Sequence, residues 1–335
     1  MARATKYPAA ITNAVFKLTD SNAAFSAFID SGQSLSLLNR RLMKQGRAYY
    51  ISSIEIAADG ITPEQADDQI RVTVSTVQNN WISKNAWVKS KALFDEMNDK
   101  VLQDNPSLKA KWHDFKVHFD TDNFTGLSIR PVGGGGATLN YTTAGQPADG
   151  EWEISKFVMP QHEIDPATGF PLPAREFEMT LNGAGNAAIA GGATGVQNMI
   201  TAYQLSRARQ HEPAPDVDPL ASSSFFNILT DDGGQEPELA DVLEDANDMP
   251  PYSNSLMFGG TTGLGQGGAF PENHRQHQGK YVLNMAENNV RTSSMIAPCG
   301  YVGFEVYNPT SAVLWVKINY KLGSYRGVHA PSMEA

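Results

Sequence analysis

Apolar residues in this chain recur mainly at every second position. Between Ala48 and Ala58, Tyr50, Ile54 and Ile56 fall on one face, and past a turn carrying Pro63, Ile70, Val72 and Val74 alternate with Arg71, Thr73 and Ser75. A period of two sends successive side chains to opposite faces of an extended strand. Both stretches therefore read as half-buried strands, and their closeness in the chain predicts an antiparallel pair. The alternation returns at Phe115, Val117 and Phe119, at 127–130, at 137–142, from Trp152 to Val158, and at Phe177, Met179 and Leu181. It is clearest near the C-terminal end, where Val302, Phe304 and Val306 precede Asn308-Pro309-Thr310, and Leu314, Val316, Ile318 and Tyr320 follow. That pattern predicts a hairpin with one buried face.

Helical spacing is confined to three stretches. Leu35, Leu38 and Leu42 predict a helix from about Asn22 to Gln45, stopped by Gly46, with Arg40, Arg41 and Lys44 mainly off the apolar stripe. Ser83 is placed to cap a second helix reaching about Gln103, with Trp87, Phe94, Met97 and Val101 aligned and Pro106 preventing continuation. Val196, Met199, Ile200 and Tyr203 predict a third, from Gly195 to Arg209. About ten strands and only two or three helices leave no helix between each pair of strands, which argues against a parallel βαβ architecture. The expected fold is mainly β and antiparallel.

Composition agrees. The chain has 335 residues with 29 Gly and 19 Pro, as expected of many short strands joined by turns. From about Gln210 to Gly279 it is mostly irregular, acidic first and glycine-rich from Gly259 to Gly268. A loop of that length in a compact domain is usually functional or ordered by a partner. No run approaches the roughly 18 apolar residues of a membrane helix, and Pro8, Thr12 and Asn13 interrupt the segment where a signal peptide would be apolar. The single cysteine, Cys299, excludes an intrachain disulfide framework and a multi-cysteine metal site.

Charge adds a direction. The net charge of −10 conceals seven basic residues against two acidic ones from Met1 to Tyr50, and eleven acidic residues with no Lys or Arg from His211 to Pro250. A basic end can meet phosphate, whereas the acidic stretch repels it. Arg40, Arg41, Lys44 and Arg47 are accordingly the candidate nucleic-acid-binding residues, expected to face inward in an assembled shell. The acidic stretch is expected outside or at a subunit boundary.

Catalytic patterns fail at named residues. Gly183-Ala184-Gly185-Asn186-Ala187-Ala188 matches a dinucleotide-binding turn, but Glu176 and Glu178 make the preceding strand half polar, and Gly191-Gly192 interrupts the helix a phosphate would need. Glu151 with Glu153, and Glu176 with Glu178, could pair as glycosidase carboxylates, but they read as solvent-facing. Glu163-Ile164-Asp165 resembles the start of the catalytic strand of laminarinase-like glycoside hydrolases, yet its last position is Thr168 and Pro166 cannot occupy a central strand. His113 and His118 fall on opposite faces of one strand, His274 and His277 have only Glu272 nearby, and Asp241, Asp245 and Asp248 lack the spacing of a calcium loop. Cys299 follows Pro298 with no histidine close in sequence, so a buried or turn cysteine is expected. The expectation is a non-enzymatic protein with no cofactor and no metal.

In order of elements the chain resembles the jelly-roll capsid proteins of small icosahedral viruses, specifically those of small circular single-stranded DNA viruses. The resemblance is carried by the basic arm through Arg47, the strand Tyr49 to Ala58, the helix inserted after the second strand, and Ala297-Pro298-Cys299-Gly300-Tyr301 leading into the last hairpin. It implies an antiparallel jelly-roll β-sandwich with inserted helices and long loops, the alternative being a double jelly roll. The implied organisation is a basic arm and helix over 1–47, a shell domain over 48–321 with insertions at about 83–103 and 210–279, and a tail over 322–335. The implied function is that of a major capsid protein, a homo-oligomer forming the shell of a virion around packaged nucleic acid. Its arm is thinner than the dense Arg/Lys arms of many such proteins. Two other readings are a carbohydrate-binding β-sandwich adhesin using Trp152, Trp315 or Tyr325 as platforms, and a β-sandwich glycoside hydrolase.

Overall fold

The computed structural model describes residues 8–18, 23–61, 69–109, 114–120, 129–132, 152–159, 175–182, 186–188, 195–208, 275–310 and 312–334. Its centre is a pair of antiparallel sheets. One has the strand order β1 (Asn13–Leu18), β14 (Val313–Tyr320), β3 (Tyr49–Asp59), with β11 (Asn289–Arg291) and β12 (Met295–Ala297) both pairing with β3. The other runs β10 (Arg275–Leu283), β4 (Ile70–Val77), β13 (Tyr301–Tyr307), β2 (Ala24–Asp30). Phe16, Ile54, Ile56, Val316 and Ile318 from the first sheet share one core with Ile29, Val72, Val74, Val302 and Phe304 from the second. This is the arrangement of a β-sandwich, and the period-two pattern is its direct cause.

Strand partners differ from those expected of neighbours in the chain. β13 and β14 form no hairpin: at Asn308–Thr310 the chain passes from one sheet to the other, with Asn308 Nδ2 donating to the Ala312 carbonyl at 2.7 Å. β3 and β4 likewise lie in opposite sheets. Each strand has one apolar face, and packing two sheets satisfies that face as well as a hairpin would.

The predicted helix over 22–45 is mostly something else. Its first part is strand β2, and helix α1 spans only Ser31–Asn39. Asp30 ends the strand and caps the helix, its Oδ1 accepting from Gly32 N–H at 2.8 Å and Gln33 N–H at 3.2 Å. Arg40 closes α1 in the left-handed conformation, φ 51°. Gly46 therefore stops no helix. It is small because a Cβ there would stand 2.8 Å from the Trp87 ring. The segment expected as an arm thus supplies two sandwich strands.

Because consecutive strands run in opposite directions, the connections sort to two ends of the sandwich. The strand ends Leu18, Ala24, Asp59, Ile70, Leu283, Asn289, Tyr307 and Val313 lie at one end. At the other lie α1 with loop 40–48, Val77 and Arg275 where the insertion leaves and returns, the turn 298–300, and the C-terminal segment from 321.

The described residues between 78 and 208 build a second unit on the outer face of the β4–β13–β2 sheet. Helix α2 spans Trp81–Asp104 and is capped by Asn80, whose Oδ1 accepts from Ser83 N–H at 2.8 Å, so Ser83 is not the cap. Strands β5 (His118–Asp120), β6 (Lys156–Met159), β7 (Arg175–Asn182), β8 (Asn186–Ala188) and β9 (Gly195–Asn198) form a mixed sheet, with β5–β7 and β7–β9 parallel. The third predicted helix is divided: β9 comes first, then α3 (Met199–Ala208), capped by Asn198 Oδ1. Phe28, Val77 and Tyr301 of the sandwich join Trp87, Phe119, Phe157, Met179 and Tyr203 in a second core. Gly303 permits the contact, since a Cβ on it would lie 2.9 Å from the Phe119 ring.

Candidate nucleic-acid interface

Loop 40–48 is anchored by Gln45. This buried side chain pairs with the backbone of Val117 in both senses, accepting from its N–H at 2.7 Å and donating to its carbonyl at 3.2 Å. Its Nε2 also lies 2.7 Å from Tyr301 Oη and 3.2 Å from Asp30 Oδ2, and Trp152 Nε1 donates to the same carboxylate oxygen at 3.1 Å. Burial pushes the Asp30 pKa up to about 6, against the hydrogen bonds that favour its charged form. The hub ties sandwich, basic loop and inserted unit together.

With Gln45 held inside, its basic neighbours come to the surface. Arg40, Arg41 and Lys44 are exposed, while Arg47 is half-buried. Arg47 donates to the Ala330 carbonyl at 3.1 Å, and its guanidinium stands 3.8 Å from the Tyr325 ring centroid. The four residues named from sequence thus belong to one loop, but Arg47 serves mainly to join that loop to the C-terminal segment.

That segment was missed in the sequence because it lies far along the chain. Tyr325 Oη accepts from Lys44 N–H at 2.9 Å, and Arg326 donates to the Leu42 carbonyl. Lys321 stands 5.9 Å from the Tyr50 ring centroid, and Tyr50 meets His329 edge-on at 4.4 Å. Short strands β15 (Leu322–Gly323) and β16 (Gly327–Val328) hold the segment in a tight hairpin. The available signal was compositional: Lys321, Arg326 and His329 occur there, and the first acid is Glu334. Glu334 pairs with Lys91 at 3.1 Å. The half-buried Asp114 lies beside the basic loop, accepting from Gln45 N–H at 3.3 Å, and burial raises its pKa.

The residues weighed for catalysis are dispersed. Glu153 and Glu176 are exposed, whereas Glu178, expected to face solvent, is 13% exposed and lies 2.6 Å from His118 Nε2. Cys299 is buried in a turn at φ 55°, and desolvation pushes its thiol pKa well up. Trp152 and Tyr325 are engaged with Asp30 and Arg47, while Trp315 is half-buried on strand β14. Among the described residues no three His, Cys, Asp or Glu side chains gather as a metal site, and no helix is long and apolar enough to cross a membrane. Glu151, Glu163, Asp165, His113, Glu272, His274, Asp241, Asp245, Asp248, the turn 183–185, the acidic stretch 211–250 and Gly259 to Gly268 lie outside the described residues.

Comparison with protein-family models, curated proteins and solved structures finds no match to the chain.

Proposed function

We propose that the sandwich is a single jelly roll and that the chain is a capsid subunit, assembling with copies of itself into a closed shell around nucleic acid. Strand order carries this reading. Taking β11 with β12 as one interrupted strand, the eight sandwich strands in chain order lie 1-8-3-6 in one sheet and 2-7-4-5 in the other. That is the order produced when a long antiparallel ribbon is wrapped around a barrel, pairing the first strand with the last, the second with the seventh and the fourth with the fifth. A double jelly roll is disfavoured because the eight strands use both ends of the chain, and the described strands between 78 and 274 form a mixed sheet with parallel pairs.

The basic loop, by its charge, is assigned to the inner face of the shell. The insertion leaves the sandwich at the same end as that loop. The acidic stretch 211–250, which by its charge repels phosphate, is assigned to the outside of the shell or to a boundary between subunits. No step of this proposed role requires a cofactor or catalysis.

Electron microscopy of the purified chain with analytical ultracentrifugation tests the reading. Closed particles of uniform diameter containing nuclease-protected nucleic acid are expected. Monomers persisting at high concentration would overturn it.

A further inference from the structure

The basic surface is built from two parts of the chain that are far apart in sequence. Loop 40–47 provides the exposed Arg40, Arg41 and Lys44, and the C-terminal segment provides the exposed Lys321 and Arg326. The two are locked in one geometry by the Lys44–Tyr325, Arg47–Tyr325, Arg47–Ala330 and Arg326–Leu42 contacts. Backbone pairing continues the lock: Tyr50 N–H donates to the His329 carbonyl at 3.1 Å, Ala48 N–H to the Pro331 carbonyl at 3.0 Å, and Met333 N–H to the Gly46 carbonyl at 3.1 Å. A phosphate-binding surface gains from charges held at fixed spacing, because the ordering cost is met on folding rather than on binding.

We propose that Lys321 is a phosphate-contacting residue of the nucleic-acid interface, acting together with Lys44, so that the interface is completed by the C-terminal segment. The proposal rests on the nucleic-acid reading above and extends it to a residue outside the N-terminal fifty. Lys321 differs from Arg47 and Arg326 in how it is held. Their guanidinium groups hydrogen-bond backbone carbonyls, whereas the Lys321 ammonium lies by the Tyr50 ring on an exposed side chain and makes no hydrogen bond or ion pair among the described residues, so its donors can serve an arriving phosphate. Neutralising one phosphate displaces about one condensed counterion, so each such lysine should be visible in the salt dependence of binding.

The test uses the full-length chain kept below its assembly concentration and a fluorescein-labelled DNA oligonucleotide, titrated over a range of salt. Lys44→Gln and Lys321→Gln should each lower the slope of log affinity against log salt by about one, with thermal melting unchanged. Lys321→Glu should weaken binding further. If Lys44→Gln lowers the slope and both Lys321 variants leave it unchanged, the proposal is overturned while the nucleic-acid reading stands. If the oligonucleotide does not bind the wild-type chain, or if only phosphatidylserine vesicles bind it, the nucleic-acid reading is overturned and the proposal with it.

Discussion

At the scale of single residues, Asp30 has the widest reach. It caps α1, receives Gln45 and Trp152, and is 1% exposed. Desolvation outweighs those donors and raises its pKa from 3.8 to about 6. Between those values the folded chain holds a proton that the unfolded chain has lost, so stability falls as pH rises through this window and is level above it. A shift of this size corresponds to roughly 3 kcal/mol. Urea denaturation at pH 4.5 and at about pH 7.5 should show about 2 kcal/mol of this loss in the wild type, the rest falling below pH 4.5, and the difference should be much smaller in Asp30→Asn. Asp30→Asn should also be less stable at both pH values, since an amide nitrogen placed against Trp152 or Gln45 cannot accept their donors. Equal pH dependence of the two proteins would refute the assignment of the carboxylate as the titrating group. Neither the cap nor the hub was legible locally, because Asp30 lies inside a stretch with helical leucine spacing and its partners Gln45 and Trp152 come from other parts of the chain.

At the scale of elements, the C-terminal segment acts as a clamp. Its hairpin bears on loop 42–47, its backbone pairs with residues 46–50, Met333 enters the second core, and Glu334 meets Lys91 of α2. Ending the chain after Lys321 should therefore release the loop before it unfolds the sandwich. Limited trypsin digestion should then cut after Arg41, Lys44 or Arg47 at least ten-fold faster than in the full chain, about 1.4 kcal/mol of lost local protection. Unchanged cleavage would show that Gln45 alone holds the loop. Element type was read well where apolar residues alternate: β3, β4, β7, β13 and β14 are all strands, although in β3 a register shift puts Tyr49 and Ile51 in the core with Ile54 and Ile56 and leaves Tyr50 on the other face. The short elements β2, α1 and β9 were hidden, because at that length two periods fit the same few apolar residues, and a capping side chain from Asp30 or Asn198 decides between them.

At the scale of the whole molecule, the two cores lie on opposite faces of one sheet. The buried residues of the sandwich core all come from outside the insertion, of which Ile129 packs against that core, and Val77 and Arg275, where the insertion leaves and returns, are already opposite one another in the β4–β10 ladder. Arg275 is also paired with Asp120 of β5 and with Glu305 at 3.2 Å, so the return point is bolted to the insertion. Replacing 78–274 by a tight Asn-Gly turn should leave a sandwich that still unfolds cooperatively. It should be less soluble, since Phe28, Val77 and Tyr301 would lose their cover. Circular dichroism and a thermal melt check the first point, and light scattering the second. Loss of a cooperative transition would mean that the insertion is part of the folding unit.

The sequence by itself determined that this is a mainly β chain, where its one-sided strands lie, that α2 interrupts them, and that basic charge collects before Tyr50. Those properties follow from short-range periodicity and from counting, and they need no knowledge of partners. Only the tertiary structure decided that neighbouring strands part into opposite sheets, that the insertion packs as a second unit on one of them, and that Lys321, Tyr325 and Arg326 stand against Tyr50, Arg47 and Leu42 of the basic loop and the strand it enters. A strand's apolar face specifies that it must be covered but not by what, and the choice among covers is made by the packing of the whole chain.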